Sequence, residues 1–321
     1  MRRITMACRV ALTALLIVLL AAPGTASAVT PRSANGAHVV TQKWLGDRTM
    51  DLTISSTALG RDAMVRLIVP PGWSPESGRS WPVVYLLHGA NDDADYTAWT
   101  KYTDIQRFAR DKNVIIAMPT ADTFGFYSDW LHGKPAWQTF HLDELPQILE
   151  RGYHASDQRA IAGLSMGGFG AMRYAELRPG MFSAAASYSG LLDTTFPAVP
   201  QALQLLMFAR GLDPNALWGD PNRESAIWQR NNPIAHLGEL RGTRLFFSSG
   251  NGKPGKLDRP GKGFDLVEAV MGTVTKMFTD SLHKAGIPAT TELYGNGTHD
   301  WPYWQRELHR SWPLLTEGFT R

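Results

Sequence analysis

The stretch Ala160-Ile161-Ala162-Gly163-Leu164-Ser165-Met166-Gly167-Gly168-Phe169-Gly170-Ala171 decides how the rest of the chain is read. At its centre is G-x-S-x-G, Gly163-Leu164-Ser165-Met166-Gly167. A short apolar run at 160–162 precedes the motif, and small residues open a segment able to form a helix after it. A serine flanked by glycines between a strand and a helix sits on a sharp turn that lifts its hydroxyl above the sheet edge. The amino terminus of the following helix also favours negative charge developing beside it. The motif alone is common, but this setting makes Ser165 a candidate nucleophile.

The same alternation continues outward. Apolar runs at 83–87, 114–118, 160–162, 184–188, 245–248 and 290–294 predict buried strands, and 96–110, 139–150 and 168–178 predict helices between them. Such an order implies a mostly parallel sheet with helices on both faces, an α/β-hydrolase fold whose ligands bind at the carboxyl edge of the strands. Upstream, 50–56 and 63–69 alternate as an antiparallel hairpin around Leu59-Gly60-Arg61-Asp62. Residues 191–240 show no clear strand but an apolar run at 203–208 and several tryptophans, which predicts an inserted helical cap. The segment 250–263, GNGKPGKLDRPGKG, predicts a mobile loop. One domain over 29–321 accommodates all of these.

A serine hydroxyl needs a base to take its proton. Of nine histidines, only His299 follows the last predicted strand in a loop, giving the order serine, acid, histidine. His141, His283 and His309 fall in predicted helices and read as surface or packing residues. His88 closes the strand 83–87 and opens His88-Gly89-Ala90, a loop that it shapes and from which one oxyanion amide should come. Met166 supplies the other. The acid should follow the strand 245–248, which leaves Asp258, Asp265 and Glu268, and spacing does not choose among them. Trp130 and Trp301 sit in predicted edge loops and are candidate substrate contacts, whereas Trp99 and Trp304 read as core. Asn91-Asp92-Asp93-Ala94-Asp95 reads as amide capping rather than a calcium site. Asn296-Gly297-Thr298 matches a glycosylation sequon but serves turn geometry. No metal and no cofactor is expected.

Composition bounds the rest. A chain of 321 residues, 44% hydrophobic and 19% charged, is that of a folded globular protein rather than a disordered one. Residues 1–28 read as a secretory signal: Arg2, Arg3 and Arg9, a 13-residue apolar stretch at 10–22, then Ala26-Ser27-Ala28 for cleavage. That stretch is shorter than the roughly 20 residues a membrane-spanning helix needs, so no permanent membrane anchor is expected. Losing those three arginines from 32 Lys and Arg leaves 29, against 29 Asp and Glu. A neutral mature chain argues against nucleic-acid binding. The one cysteine, Cys8, precedes the apolar stretch, so the mature chain has no disulfide and no thiol nucleophile. The expected location is outside the cell, free or associated with the cell wall.

Several motifs together resemble the antigen 85 complex, the secreted mycolyltransferases of mycobacteria within the esterase D-like group of α/β-hydrolases. They are Val84-Tyr85-Leu86-Leu87, Phe126-Tyr127-Ser128-Asp129-Trp130, Asp143-Glu144-Leu145-Pro146-Gln147, Gly163-Leu164-Ser165-Met166, Leu217-Trp218-Gly219, Gly250-Asn251-Gly252 and Asn296-Gly297-Thr298-His299-Asp300-Trp301-Pro302-Tyr303-Trp304. The resemblance implies Ser165 as nucleophile, His299 as base, Glu268 as acid and the amides of Ala90 and Met166 as the oxyanion hole. It also places His88 where the family has an aspartate that contacts the trehalose acceptor, which puts His88 with Trp130 and Trp301 among candidate substrate contacts. Two further departures are Gly167-Gly168, where the family has an alanine and a serine, and Ser249, where it has a cysteine. The expected function is acyl transfer from an ester to a hydroxyl acceptor (sugar, glycerol or water) through an acyl-enzyme. The rivals are a secreted carboxylesterase and a non-catalytic extracellular binding protein on a hydrolase scaffold.

Overall fold

The computed structural model describes residues 30–46, 48–90 and 93–319. The expected export segment with Cys8, and Asn91 and Asp92 of the acidic run, lie outside these residues.

The strands are β1 (His38–Gly46), β2 (Thr49–Ser56), β3 (Arg61–Ile68), β4 (Trp81–Leu87), β5 (Ile115–Pro119), β6 (Ala155–Leu164), β7 (Ala184–Tyr188), β8 (Arg244–Ser249) and β9 (Thr290–Leu293). The helices are α1 (Ala98–Tyr102), α2 (Ile105–Phe108), α3 (Trp137–Thr139), α4 (Leu145–Gly152), α5 (Met166–Leu177), α6 (Val199–Ala209), α7 (Ser225–Arg230), α8 (Leu266–Lys284) and α9 (Trp301–Thr316). Among the described residues the strands form one sheet in the order β1-β2-β3-β5-β4-β6-β7-β8-β9. Pairing is antiparallel from β1 through β3 to β5 and parallel from β5 onward.

The short apolar runs become strands because both sheet faces are covered. Along β4, Val83, Tyr85 and Leu87 enter one core with Ile161, Phe169, Phe247 and Phe278. Val84 and Leu86 enter the other with Trp99, Ala162, Tyr188, Trp304 and Trp312. Neighbouring side chains on a strand point to opposite faces, so a strand buried on both sides is apolar throughout.

Three expectations need correction. The stretch before the expected hairpin, where no strand was expected, contains β1, a largely exposed edge strand paired with β2. The expected helix over 96–110 is broken into α1, α2 and single turns. The segment expected to be a mobile loop is pinned at 251–253 by backbone bonds. Asn251 donates to Gly295 O at 2.8 Å and Gly252 to Gly297 O at 3.0 Å, while Gly297 donates to Lys253 O at 2.7 Å. Residues 191–240 carry α6 and α7 and no strand.

Candidate active site

β6 ends at Leu164 and α5 begins at Met166, so Ser165 alone makes the turn. Its backbone lies at φ 53°, ψ −117°, a left-handed conformation that non-glycine residues adopt only under constraint. Ser165 N–H donates to Tyr188 O at 2.9 Å, and its carbonyl accepts from Phe169 N at 3.1 Å. The turn closes because no side chain holds α5 off the strand ends. A Cβ on Gly167 would lie 2.5 Å from Leu87 O and 2.6 Å from His88 O, and one on Gly168 would lie 2.6 Å from Ser187 Oγ. Met166 opens the first turn of α5, where backbone amides have no acceptor within the helix. Ser165 opens on a cavity of about 490 Å3 whose walls include Ala90, Tyr102, His299, Trp301 and Trp304.

His299 enters that cavity from the loop after β9. Its Nδ1 donates to Glu268 Oε2 at 2.7 Å, which leaves Nε2 of the neutral ring with the free lone pair. Glu268 is fully buried in the first turn of α8. Its other oxygen, Oε1, accepts from Ser189 Oγ and Ser249 Oγ, both at 2.9 Å, from Gly250 N at 2.5 Å and from Tyr294 Oη at 3.3 Å. A carboxylate taken out of water needs such donors. The Trp304 ring stands edge-on to the His299 ring at 4.9 Å, and its Nε1 donates to Ser189 Oγ at 3.2 Å.

The other two candidate acids are engaged elsewhere. Asp265 caps α8, accepting from Glu268 N at 3.1 Å, and also accepts His299 N–H at 3.2 Å. Asp258 accepts from Thr298 Oγ1, from Tyr303 Oη at 2.8 Å and from Gly255 N at 2.7 Å. Partial burial would raise its carboxyl, but those three bonds outweigh this and hold it below the usual carboxylate range.

His88 takes a different place from the one expected among substrate contacts. It is 1% exposed, and its ring nitrogens face Gly89 O at 2.9 Å and Asp95 Oδ1 at 2.8 Å. Its carbonyl accepts from Tyr127 Oη at 3.0 Å. His88 therefore holds the loop that carries Ala90. Asp95 does not cap its own short helix as expected; it bonds His88, Thr120 and Ala121 N. Burial would raise its carboxyl, yet the bond and charge of His88 prevail and lower it. Among the described residues no group of acids, histidines or cysteines is arranged to hold a metal.

Trp301 lines the Ser165 cavity, stacked edge-to-face on Trp99 and Trp304 at 5.3 Å each. Trp130 faces an adjoining groove of about 660 Å3, its Nε1 bound to Gly125 O at 3.0 Å. Asp93 borders both spaces, and Leu212 brings the 191–240 segment to the second. Ser189, Ser249 and Tyr294 were missed from sequence. Each stands at or just past the carboxyl end of β7, β8 or β9, and that edge position is the one signal that marks them.

The profile of the Esterase family, described as "Putative esterase", matches residues 56–315. The Ag85B diacylglycerol acyltransferase/mycolyltransferase of Mycobacterium avium is 33% identical over 278 residues, covering 82% of this chain and 81% of that protein. The chain belongs to the antigen 85-like esterases. The Ag85A diacylglycerol acyltransferase/mycolyltransferase of Mycobacterium leprae is 31% identical over 279 residues, covering 83% of this chain and 82% of its own. Two solved structures share the α/β-hydrolase fold of this antigen 85-like esterase. Mycobacterium tuberculosis MPT51 (FbpC1) has a TM-score of 0.69 at 24% identity, covering 83% of this chain and 96% of its own. The fluorophosphonate-binding serine hydrolase FphF of Staphylococcus aureus has a TM-score of 0.67 at 20% identity, covering 84% and 98%.

Proposed function

We propose that the protein is a serine acyltransferase that moves an acyl group from an ester to a hydroxyl acceptor, with Ser165, His299 and Glu268 as its triad. The observation that carries the assignment is the 2.7 Å bond from His299 Nδ1 to the fully buried Glu268, at a cavity that Ser165 shares. That bond fixes the tautomer in which Nε2 can take the Ser165 proton, and the carboxylate stabilises the imidazolium that follows. Ser165 Oγ attacks the ester carbonyl, and the amides of Ala90 and Met166 receive the oxyanion, each worth roughly 3 kcal/mol. His299 returns its proton to the leaving alcohol, and a second hydroxyl then takes the acyl group from Ser165. Trp301 borders the acyl-enzyme, and Trp130 contributes from the adjoining groove. Relatives named as diacylglycerol acyltransferases and mycolyltransferases favour an alcohol acceptor over water. Residues 1–28 act as the export signal, and 191–240 form an insertion within one domain.

Turnover of a p-nitrophenyl acyl ester with and without added glycerol or sugar tests the reaction. Acylated acceptor in excess over free acid supports transfer; free acid alone makes the protein a carboxylesterase; no turnover makes it a binding protein. Ser165→Ala should lower kcat by several orders of magnitude while thermal unfolding stays cooperative. Activity within about tenfold of the parent would overturn the nucleophile assignment.

A further inference from the structure

Residues 253–267, of which 253–263 belong to the expected mobile loop, present a surface that nothing in the catalytic scheme uses. Its two acids face inward: Asp258 is held by Thr298 and Tyr303, and Asp265 caps α8 and takes His299 N–H. Its four cations, Lys253, Lys256, Arg259 and Lys262, are exposed, and only Lys262 approaches an acid, with Nζ 3.8 Å from Asp265. Four large apolar side chains of the segment are exposed as well: Leu257 at 40%, Phe264 at 62%, Leu266 at 69% and Val267 at 52%. Three of them lie within four consecutive residues, directly before Glu268.

Exposed apolar residues grouped as closely as those at 264–267 mark a surface that something covers, where single ones would not. Interleaved cations narrow the choice, because a patch that is apolar and cationic together matches the interface of an anionic bilayer. There the side chains enter the headgroup boundary, and each Lys or Arg gains from the negative surface potential. We propose that residues 253–267 dock the protein on an anionic lipid surface beside the Ser165 cavity. Backbone bonds from 251–253 to the 295–297 turn, the bond from Asp265 N to Gly252 O at 2.8 Å and the bonds of the Asp258 side chain to Thr298 and Tyr303 preform the surface, so little ordering is lost on docking. Among the described residues no helix is long and apolar enough to cross a membrane.

Flotation of the purified protein with phosphatidylcholine vesicles containing phosphatidylglycerol, against phosphatidylcholine alone, tests this without any use of enzyme activity. Binding should require the anionic lipid and weaken as salt is raised. Lys256→Glu with Arg259→Glu should reduce it by about twenty-five-fold or more, at about fivefold for each cation lost. Phe264→Ser with Leu266→Ser should abolish it, and both double variants should turn over a soluble ester as the parent does. Absence of flotation, equal flotation with neutral vesicles, or flotation that survives both double variants would overturn the proposal. A parent that light scattering finds dimeric, and that Phe264→Ser with Leu266→Ser makes monomeric, would assign the patch to a second copy of the chain instead.

Discussion

Three carboxylates follow β8, and their partners separate their consequences. Glu268 receives His299 Nδ1 together with four other donors, whereas Asp265 holds a helix end and Asp258 holds the 298–303 turn. Glu268→Gln replaces an acceptor by an amide that cannot fix the same tautomer. It should lower kcat by roughly a hundredfold or more, given losses of about ten-thousandfold for such exchanges in other triads. Asp265→Asn keeps a good capping residue, so its effect should be small. Asp258→Asn should act mainly on thermal stability. Steady-state kinetics beside melting curves checks the order, and a crippled Asp258→Asn with an active Glu268→Gln would reverse the assignment. By spacing alone these three were equivalent and only the family resemblance favoured Glu268, because a carboxylate's partners come from β7, β8 and β9 at once.

At the scale of elements, the site depends on how closely α5 approaches the end of β4. That approach leaves no space for a side chain at Gly167, whose Cβ would meet two backbone carbonyls rather than a flexible group. Gly167→Ala should therefore cost roughly 1–3 kcal/mol, as overpacking does, and displace the Met166 amide from its partner loop. Urea denaturation would show the loss, and kcat should fall more than KM rises. An alanine that leaves both stability and kcat unchanged would mean the turn relaxes easily. The strand–turn–helix order was legible because β6 and α5 are adjacent in sequence. The breaks in 96–110 were not, since that segment's helical pattern is set against packing of Trp99 and Ile105 on distant strands.

Over the whole molecule, acid sensitivity has a specific source. His141, expected to be a packing or surface residue, is buried, its Nδ1 accepting from Tyr174 Oη at 2.8 Å and its Nε2–H donating to Thr120 O at 2.9 Å. Burial lowers its pKa to about 3. Between that value and the ordinary histidine range near 6.5, the unfolded chain takes up a proton that the folded chain refuses. Its contribution is therefore complete above the ordinary value and is lost as pH falls, at up to about 1.4 kcal/mol per pH unit. Denaturation series at pH 7 and pH 5 should show a smaller loss for His141→Gln than for the parent; equal losses would place the sensitivity elsewhere. The sequence by itself determined the sheet class, the place of Ser165 on a strand-to-helix turn and that of His299 after the last strand, because each depends on local order: a buried run, a glycine turn, a loop. Which carboxylate meets His299, the burial of His88 beneath its own loop, and the pinning of 251–253 and Asp258 were decided only by tertiary structure. Each of those is a contact between strand ends that lie far apart in the chain, and no local pattern encodes which ends the sheet will set side by side.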